Sequence, residues 1–130
     1  MSESQQTPDW TKHKRRRGID RLVHAAGYSL AGLLAGWREP AFRLEALIGA
    51  PLIVASFWLG NNWVEVALLA GSLILVMVVE LLNTAIESAV DRMGEQWHAL
   101  AKQAKDLGSA AVFLSLLLCL GIWGTALWTR

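Results

Sequence analysis

Apolar residues fall in long blocks along this chain, and short polar segments separate the blocks. The first block long enough to approach a membrane span lies between Glu45 and Glu65 and contains 19 residues, none of them charged. A helix of that length comes close to crossing a bilayer hydrocarbon core of roughly 30 Å. We therefore predict a first membrane span over about 41–60, ended by a tight turn at the sequence GNN.

The second block, 66–79, has only 14 uncharged residues, which make about 21 Å of helix. Because this is shorter than the hydrocarbon core, the helix must continue into polar sequence at both ends. We predict one helix over about 63–92, with a cytoplasmic extension at its C-terminal end. The third block, 107–129, has 23 uncharged residues and predicts a span over about 105–128.

The segment before the first span has a different pattern. Residues 1–18 are polar and basic without apolar periodicity, which is typical of a disordered tail. Over about 19–37, apolar residues recur at helical spacing among polar ones, as in an amphipathic helix on a membrane surface. Pro40 suits the first position of the next helix, and Glu39 is expected to cap it. The fold class is therefore all-α integral membrane, with residues 19–130 as one membrane domain.

The distribution of charge sets the expected orientation. The 130 residues carry a net charge of only +1, but eleven of the twelve Lys and Arg precede Glu45 or lie between Asp91 and Leu107. The positive-inside rule places the N-terminus and residues 90–106 in the cytoplasm and the C-terminus outside. The basic stretch TKHKRRRGIDR is similar to nucleic-acid-binding patches. Beside apolar spans it favours a membrane surface instead, so no nucleic-acid partner is expected.

Polar residues form one stripe at the end of the second span. The stripe consists of Glu80, Asn83, Thr84, Glu87 and Asp91, at spacings that share a helix face. Glu80 is expected at the inner hydrocarbon boundary, with Glu87 roughly 10 Å further along the axis, in water. A carboxylate in a membrane segment is costly and suggests function. The residues alone leave open a proton path, a divalent-metal site, a general base beside a metal, or a solvated helix exit.

The segment before the third span adds charge at the same depth. Lys102, Lys105 and Asp106 lead into that span, although a lysine there also suits a simple helix anchor. His98 has no second His or Cys at metal-ligand spacing, so it is more typical of a surface residue. The chain contains neither a GxxxxGK[ST] loop nor the protein-kinase signature set. Any nucleotide must therefore be bound by a different arrangement of residues.

The stretch ELLNTAIESAVD (80–91) resembles the signature of the small prokaryotic diacylglycerol kinases, which are membrane enzymes with three spans and an N-terminal surface helix. The similarity continues in AAGYS (25–29), EPAFRLE (39–45) and AKDLGSAAV (104–112). The resemblance implies ATP-dependent phosphorylation of diacylglycerol at the inner face of the bacterial cytoplasmic membrane. It also implies Mg²⁺ as cofactor and a homotrimer whose active sites are shared between subunits.

The same resemblance implies roles for single residues. Glu80 matches the general base that takes the proton of the lipid's primary hydroxyl, and Asn83 matches a residue that supports it. Glu39 and Glu87 match the carboxylates that hold Mg²⁺. The positions matching nucleotide contacts are Arg21, Tyr28, Glu39, Glu87, Gln96, Trp97, His98, Lys105 and Asp106. The positions matching lipid contacts are Arg21, Ser29, Trp37, Arg43, Trp58, Glu80 and Ser109.

One segment departs from the family pattern, and two other functions are compatible with parts of the sequence. WREPAF lacks one residue of the pattern and contains Arg38 and Pro40, so the metal role of Glu39 depends on this turn. Related bacterial proteins phosphorylate undecaprenol, and only the lipid-facing surfaces distinguish them. A small multidrug-type transporter would also place a glutamate in a short span. Such a transporter needs that carboxylate deep in the membrane, and it has no use for Lys105 and Asp106 at the boundary.

Overall fold

The structure is a computed structural model that describes residues 18–92 and 99–129. Within these residues the chain forms four α-helices, α1 (Ile19–Gly36), α2 (Pro40–Leu59), α3 (Trp63–Asp91) and α4 (Ala99–Trp128). Two compact units result: one ends at Ala35 and contains α1 except for its last residue, and the other begins at Gly36 and contains α2, α3 and α4. Apart from Gly18, the predicted tail lies outside the described residues.

Helix α1 begins after Gly18, whose φ of 65° is a backbone conformation that favours glycine. The Gly18 carbonyl accepts the Leu22 N–H at 3.4 Å. The helix ends at Gly36, one residue before the expected end. Its apolar side chains, such as Leu30 and Leu34, are exposed within its own unit. The contact of α1 with a membrane surface stays a prediction.

Helix α2 begins with Pro40 at its first position, as predicted. Glu39 occupies the N-cap position as expected, but within the described residues its carboxylate accepts no hydrogen bond from the first turn. Short side chains such as Asp or Ser are the ones that cap well, and glutamate is not among them. The Glu39 backbone carbonyl instead accepts the Arg43 N–H at 3.0 Å. Pro51 lies inside α2, and the helix continues through it.

The turn from α2 to α3 occupies the predicted GNN sequence. Asn62 Oδ1 accepts the N–H groups of Val64 and Glu65 at 3.0 Å each, which caps α3. Glu65 Oε2 in turn accepts the backbone and side-chain N–H groups of Asn61 at 2.9 Å. Gly60 stands where a Cβ would overlap the side chain of Val66. This closed turn reverses the chain, so that α3 returns antiparallel to α2.

Helix α3 has 29 residues and is about 44 Å long, which confirms that it extends beyond its short apolar block. Helix α4 has 30 residues and starts at Ala99, earlier than the expected start near 105. Lys102 and Asp106 therefore lie on a helix, where they form an ion pair one turn apart. Helices α2, α3 and α4 are each long and apolar enough to cross a membrane.

Helix α3 packs against both α2 and α4. The contact surfaces are narrow and include Leu69, Val76 and Cys119. Trp123 of α4 donates its indole N–H to the Leu69 carbonyl at 3.1 Å, and Ser72 Oγ lies 3.6 Å from Cys119 Sγ. Most other apolar side chains of these helices are exposed. Such surfaces suit a bilayer, and they make this a membrane protein.

Candidate active site

Glu80 is buried on α3, with 7% of its surface exposed. A carboxylate is seldom this buried without a special environment, because removing it from water is costly. The carboxylates of Glu45, Glu87 and Glu39 lie within electrostatic range of it. The structure therefore gathers four acidic side chains where the N-terminal part of α2 lies beside the C-terminal half of α3.

The turn that carries Glu39 is held next to α3. Gly36 packs so closely that a Cβ there would overlap the side chain of Leu81 and press on Phe42. The Glu39 N–H donates to the Gly36 carbonyl at 2.9 Å. Gly36 thus lies against the residue that directly follows Glu80, and Glu39 is hydrogen-bonded to Gly36. The shortened WREPAF segment therefore still brings Glu39 into the acidic cluster. Whether Glu39 binds a metal stays a prediction.

Glu45 is a member of the cluster that the sequence interpretation missed. Its side chain is half-buried on α2, and its Oε2 atom is buried without a hydrogen-bond partner in the described part of the chain. A buried acceptor without a donor is rare in native proteins, so this atom is available to a donor that the described residues do not supply. Glu45 ends the segment EPAFRLE, which carried the family resemblance, but the hydropathy pattern used it only as the edge of a span.

The predicted polar stripe on α3 runs from buried to exposed surroundings. Glu80 is buried, Asn83 is half-buried and Glu87 is exposed. Asn83 Nδ2 donates to Glu87 Oε1 at 3.3 Å. One helix face thus connects a desolvated carboxylate to a solvated one, with an amide between them.

Lys105 and Asp106, which both match nucleotide-contacting positions of the family, form ion pairs with different partners. Lys105 Nζ lies 2.5 Å from Asp91 Oδ1 on α3, whereas Asp106 pairs with Lys102 on its own helix. Consecutive residues of a helix do not share a face, so the separation follows from α4 beginning at Ala99. Lys105 remains within electrostatic range of Glu87.

The donor set suits a magnesium ion accompanied by a nucleotide. In the described ranges, His, Cys, Asp and Glu side chains form no group of three that could hold a metal. Mg²⁺ on a nucleotide typically needs only one or two carboxylates, since phosphate oxygens and water supply the other ligands. The exposed Glu87 carboxylate, which accepts a hydrogen bond from Asn83, has suitable oxygen donors, and Glu39 lies in the same cluster.

The remaining site predictions fall into three groups. Arg43 and Ser109 are exposed on α2 and α4, and Trp37 is exposed just after α1. Trp58 is exposed near the C-terminal end of α2, about 20 Å along the axis from Glu45. The roles of these side chains stay predictions.

The second group, Arg21, Tyr28 and Ser29, lies on α1. Ser29 Oγ donates to the Ala25 carbonyl of the same helix at 3.0 Å. The third group, Gln96, Trp97 and His98, lies outside the described residues.

An apolar groove of about 700 Å³ runs between α2 and α4 over α3. Glu45 lies toward one end of the groove, and Leu59 lies toward the other. Its walls include Leu44, Ile48, Leu73, Leu116, Leu120 and Leu127. The groove therefore joins a long apolar surface to the acidic cluster.

These features define an all-helical membrane protein with a carboxylate cluster at one end of its helices. The sequence profile of the prokaryotic diacylglycerol kinase family matches residues 27–127. Diacylglycerol kinase of Escherichia coli (strain K12) is 43% identical over 114 residues, 87% of this chain and 93% of that protein. The Pseudomonas aeruginosa diacylglycerol kinase is 45% identical over 115 residues, 88% and 94% of the two chains.

A diacylglycerol kinase of Helicobacter pylori (strain 26695) is 39% identical over 117 residues, which cover 89% of this chain and 91% of that protein. The chain belongs to the prokaryotic diacylglycerol kinase family. This confirms the resemblance seen in the stretch ELLNTAIESAVD and its companion segments.

Proposed function

We propose that this protein transfers the γ-phosphoryl group of ATP to the primary hydroxyl of 1,2-diacylglycerol, yielding phosphatidate and ADP. The observation that carries the proposal is the single face of α3 that leads from buried Glu80 to exposed Glu87. The names of the E. coli and P. aeruginosa relatives support it. A lipid kinase must bring a membrane-embedded alcohol and a water-soluble nucleotide together, and this face connects the two surroundings.

The depth of Glu80 suits a general base for a lipid hydroxyl. Glu80 lies 17 residues after Trp63, the first residue of α3, which is about 26 Å along the helix. That distance places it near the inner edge of a hydrocarbon core of roughly 30 Å. There it accepts the hydroxyl proton as the lipid oxygen bonds to the γ-phosphorus and the bond to the departing ADP oxygen breaks. Asn83, one turn away, keeps the face polar between Glu80 and Glu87.

The exposed end of the face suits the nucleotide. Phosphoryl transfer depends mainly on positioning and on neutralising phosphate charge. Lys105 lies beside α3 and within electrostatic range of Glu87, so its ammonium can approach the phosphates. Glu87, with Glu39, would hold Mg²⁺, which supplies positive charge at the phosphate oxygens when bound. We assign further nucleotide contacts to Arg21, Tyr28, Gln96, Trp97, His98 and Asp106.

The apolar groove suits the acyl chains of the lipid. It lies between membrane-spanning helices, and its polar end is Glu45, whose Oε2 lacks a donor within the described residues. A lipid lying in the groove would place its glycerol group near Glu45 and Glu80. Further lipid contacts are assigned to Arg21, Ser29, Trp37, Arg43, Trp58 and Ser109.

We propose that the active form is a homotrimer with shared sites in the bacterial cytoplasmic membrane. Three spans of one chain enclose a site for both ATP and a lipid poorly, and the exposed apolar surface leaves room for further copies. The charge distribution supports a cytoplasmic N-terminus and an outer C-terminus. The transporter alternative is disfavoured, because Glu80 lies near the inner edge of the proposed hydrocarbon core rather than at its centre.

The proposal is tested with purified protein in mixed micelles that contain Mg·ATP and either diacylglycerol or undecaprenol. We expect phosphatidate to form and the polyprenyl alcohol to be a much poorer acceptor. Lipid phosphate no higher than in a protein-free control, with both alcohols, would contradict the kinase proposal. Preferential phosphorylation of undecaprenol would keep the chemistry and overturn the proposed substrate.

A further inference from the structure

Gly108 of α4 lies directly against the side chain of Asn83 on α3. A Cβ on Gly108 would overlap Asn83 Oδ1, and the Asn83 Cγ atom would be 3.3 Å away. Gly108 is buried, in line with Ser115 and Cys119 on the face of α4 that packs on α3. The backbone of α4 therefore approaches α3 closely at the level of the polar stripe.

The orientation of the Asn83 amide follows from its two neighbours. Its Nδ2 atom donates to Glu87 Oε1 at 3.3 Å. A carboxylate only accepts hydrogen bonds, so the nitrogen must face Glu87 and the oxygen must face Gly108. Asn83 Oδ1 is buried and has no hydrogen-bond donor in the described part of the chain. The carbon-bound hydrogens of glycine offer only a weak Cα–H···O contact in its place.

Gly108 differs from the other glycines inside the described helices. At Gly49, Gly71, Gly121 and Gly124, an added Cβ would meet nothing within 4 Å. Glycine inside a helix is destabilising relative to alanine, and at Gly108 the close approach to Asn83 accounts for it. Gly36, the other described helical glycine with a close neighbour, lies at the end of α1.

We propose that Gly108 is a positioning residue. Because it has no side chain, it leaves room for Asn83 Oδ1, and the Asn83 amide can keep the orientation in which it donates to the Glu87 carboxylate and orients it. This inference rests on the proposed function, in which Glu87 binds Mg²⁺. A methyl group at residue 108 displaces Asn83 Oδ1, and the Asn83 amide then turns away from Glu87. The Glu87 carboxylate remains, but it loses the hydrogen bond that orients it.

We expect Mg²⁺ to strengthen nucleotide binding less in the Gly108→Ala variant than in the wild type. Removing a hydrogen bond to a metal-ligating carboxylate typically costs roughly 10- to 100-fold in metal affinity. Because the Asn83–Glu87 bond is long at 3.3 Å, we expect about tenfold for Gly108→Ala, at the lower end of that range. The Mg²⁺ concentration for half-maximal turnover rises in parallel, while the rate at saturating Mg²⁺ changes less.

The experiment is a double-mutant cycle with a binding readout. Calorimetry measures the affinity of the purified protein in micelles for AMP-PCP with Mg²⁺ and without it. The ratio of the two affinities is compared for the wild type, Gly108→Ala, Asn83→Ala and the double variant. Gly121→Ala is the matched control, because the same methyl group on the same helix enters open space.

We expect the affinity ratio to fall about tenfold in Gly108→Ala and in Asn83→Ala and to stay unchanged in Gly121→Ala. In the Asn83→Ala background, adding Gly108→Ala changes the ratio by less than about twofold, since the displaced side chain is absent. An unchanged ratio in Gly108→Ala, or an equal loss in both backgrounds, overturns the inference. The second result would mean that residue 108 acts through helix packing.

Failure of the inference is distinguishable from failure of the proposed function. If Mg²⁺ does not strengthen AMP-PCP binding even in the wild type, the metal role of Glu87 fails, and the inference fails with it. If Mg²⁺ strengthens binding equally in the wild type and in Gly108→Ala, only the inference fails. Should Gly108→Ala not form a folded oligomer, the double variant decides. Recovery of folding supports the Asn83 contact, and continued misfolding overturns it.

Discussion

Lys105 on α4 and Asp91 on α3 form an ion pair between the two helices, with Nζ and Oδ1 2.5 Å apart. Asp91 follows Glu87 by about 6 Å along α3, so the pair holds a cation beside the polar stripe. The side chains are 40% and 65% exposed, and such exposed pairs contribute little to stability. The consequence of this pair is the position of the ammonium group rather than the stability of the fold.

We predict that Asp91→Asn weakens ATP binding with little change in the melting temperature, because Lys105 loses the partner that positions it. The reversed pair, Asp91→Lys with Lys105→Asp, restores attraction between the helices but presents an anion from α4. Its nucleotide affinity should therefore stay low. Calorimetry with AMP-PCP and thermal unfolding in micelles measure the two properties. Wild-type affinity in the reversed pair would show that the residues serve only to join the helices.

Each of the two carboxylates proposed to bind Mg²⁺ can be tested by substitution. Glu87→Gln should raise the Mg²⁺ concentration for half-maximal activity or abolish activity at every concentration, because glutamine provides a weaker, neutral oxygen ligand. Glu39→Gln should act in the same direction if its turn delivers it to the metal. Turnover is measured by titrating Mg²⁺ at fixed ATP. A wild-type rate and an unchanged Mg²⁺ concentration for half-maximal activity in Glu87→Gln would show that Glu87 does not bind the metal and belongs only to the solvated helix surface.

The spans were predictable because hydropathy and bilayer thickness constrain them strongly. The 14-residue block before Glu80 is too short to cross a membrane, and the observed helix Trp63–Asp91 extends as required. The start of α4 at Ala99 was harder to predict from the sequence. Lys102, Lys105 and Asp106 interrupt the apolar pattern there, so the hydropathy pattern predicts a start near residue 105 rather than at Ala99.

The family signature placed Glu80, Asn83 and Glu87 on one face of α3, but contacts between helices were beyond the sequence. Gly108 and Asn83 are distant in the chain, and only the packing of α3 on α4 brings them together. The proximity of Glu45 on α2 to Glu80 on α3 likewise depends on how the helices pack. Periodicity shows which residues share a face of one helix and leaves open which neighbouring helix covers that face.

Subunit mixing tests the proposal that sites are shared. We expect Arg21→Ala and Glu80→Gln each to reduce activity strongly when alone. If α1 of one chain serves the site of a neighbour, mixed oligomers contain some sites with both residues intact, and activity returns on mixing. Fluorescence energy transfer between labelled chains confirms that subunits exchange. Full exchange without any recovery would contradict sharing between α1 and Glu80.

The central claim is that Glu80 is the base of a lipid kinase, and one comparison tests it most directly. Phosphatidate formation from diacylglycerol and Mg·ATP is measured for the wild type, Glu80→Gln and the control Glu65→Gln, which makes the same change near the opposite end of α3.

Glutamine keeps the shape of Glu80 but cannot accept the proton, so we predict a loss of roughly 10²- to 10⁴-fold with AMP-PCP binding retained. Glu65→Gln should turn over near the wild-type rate. Glu80→Gln retaining more than about a tenth of the wild-type rate would contradict the claim, because a general base contributes far more than that.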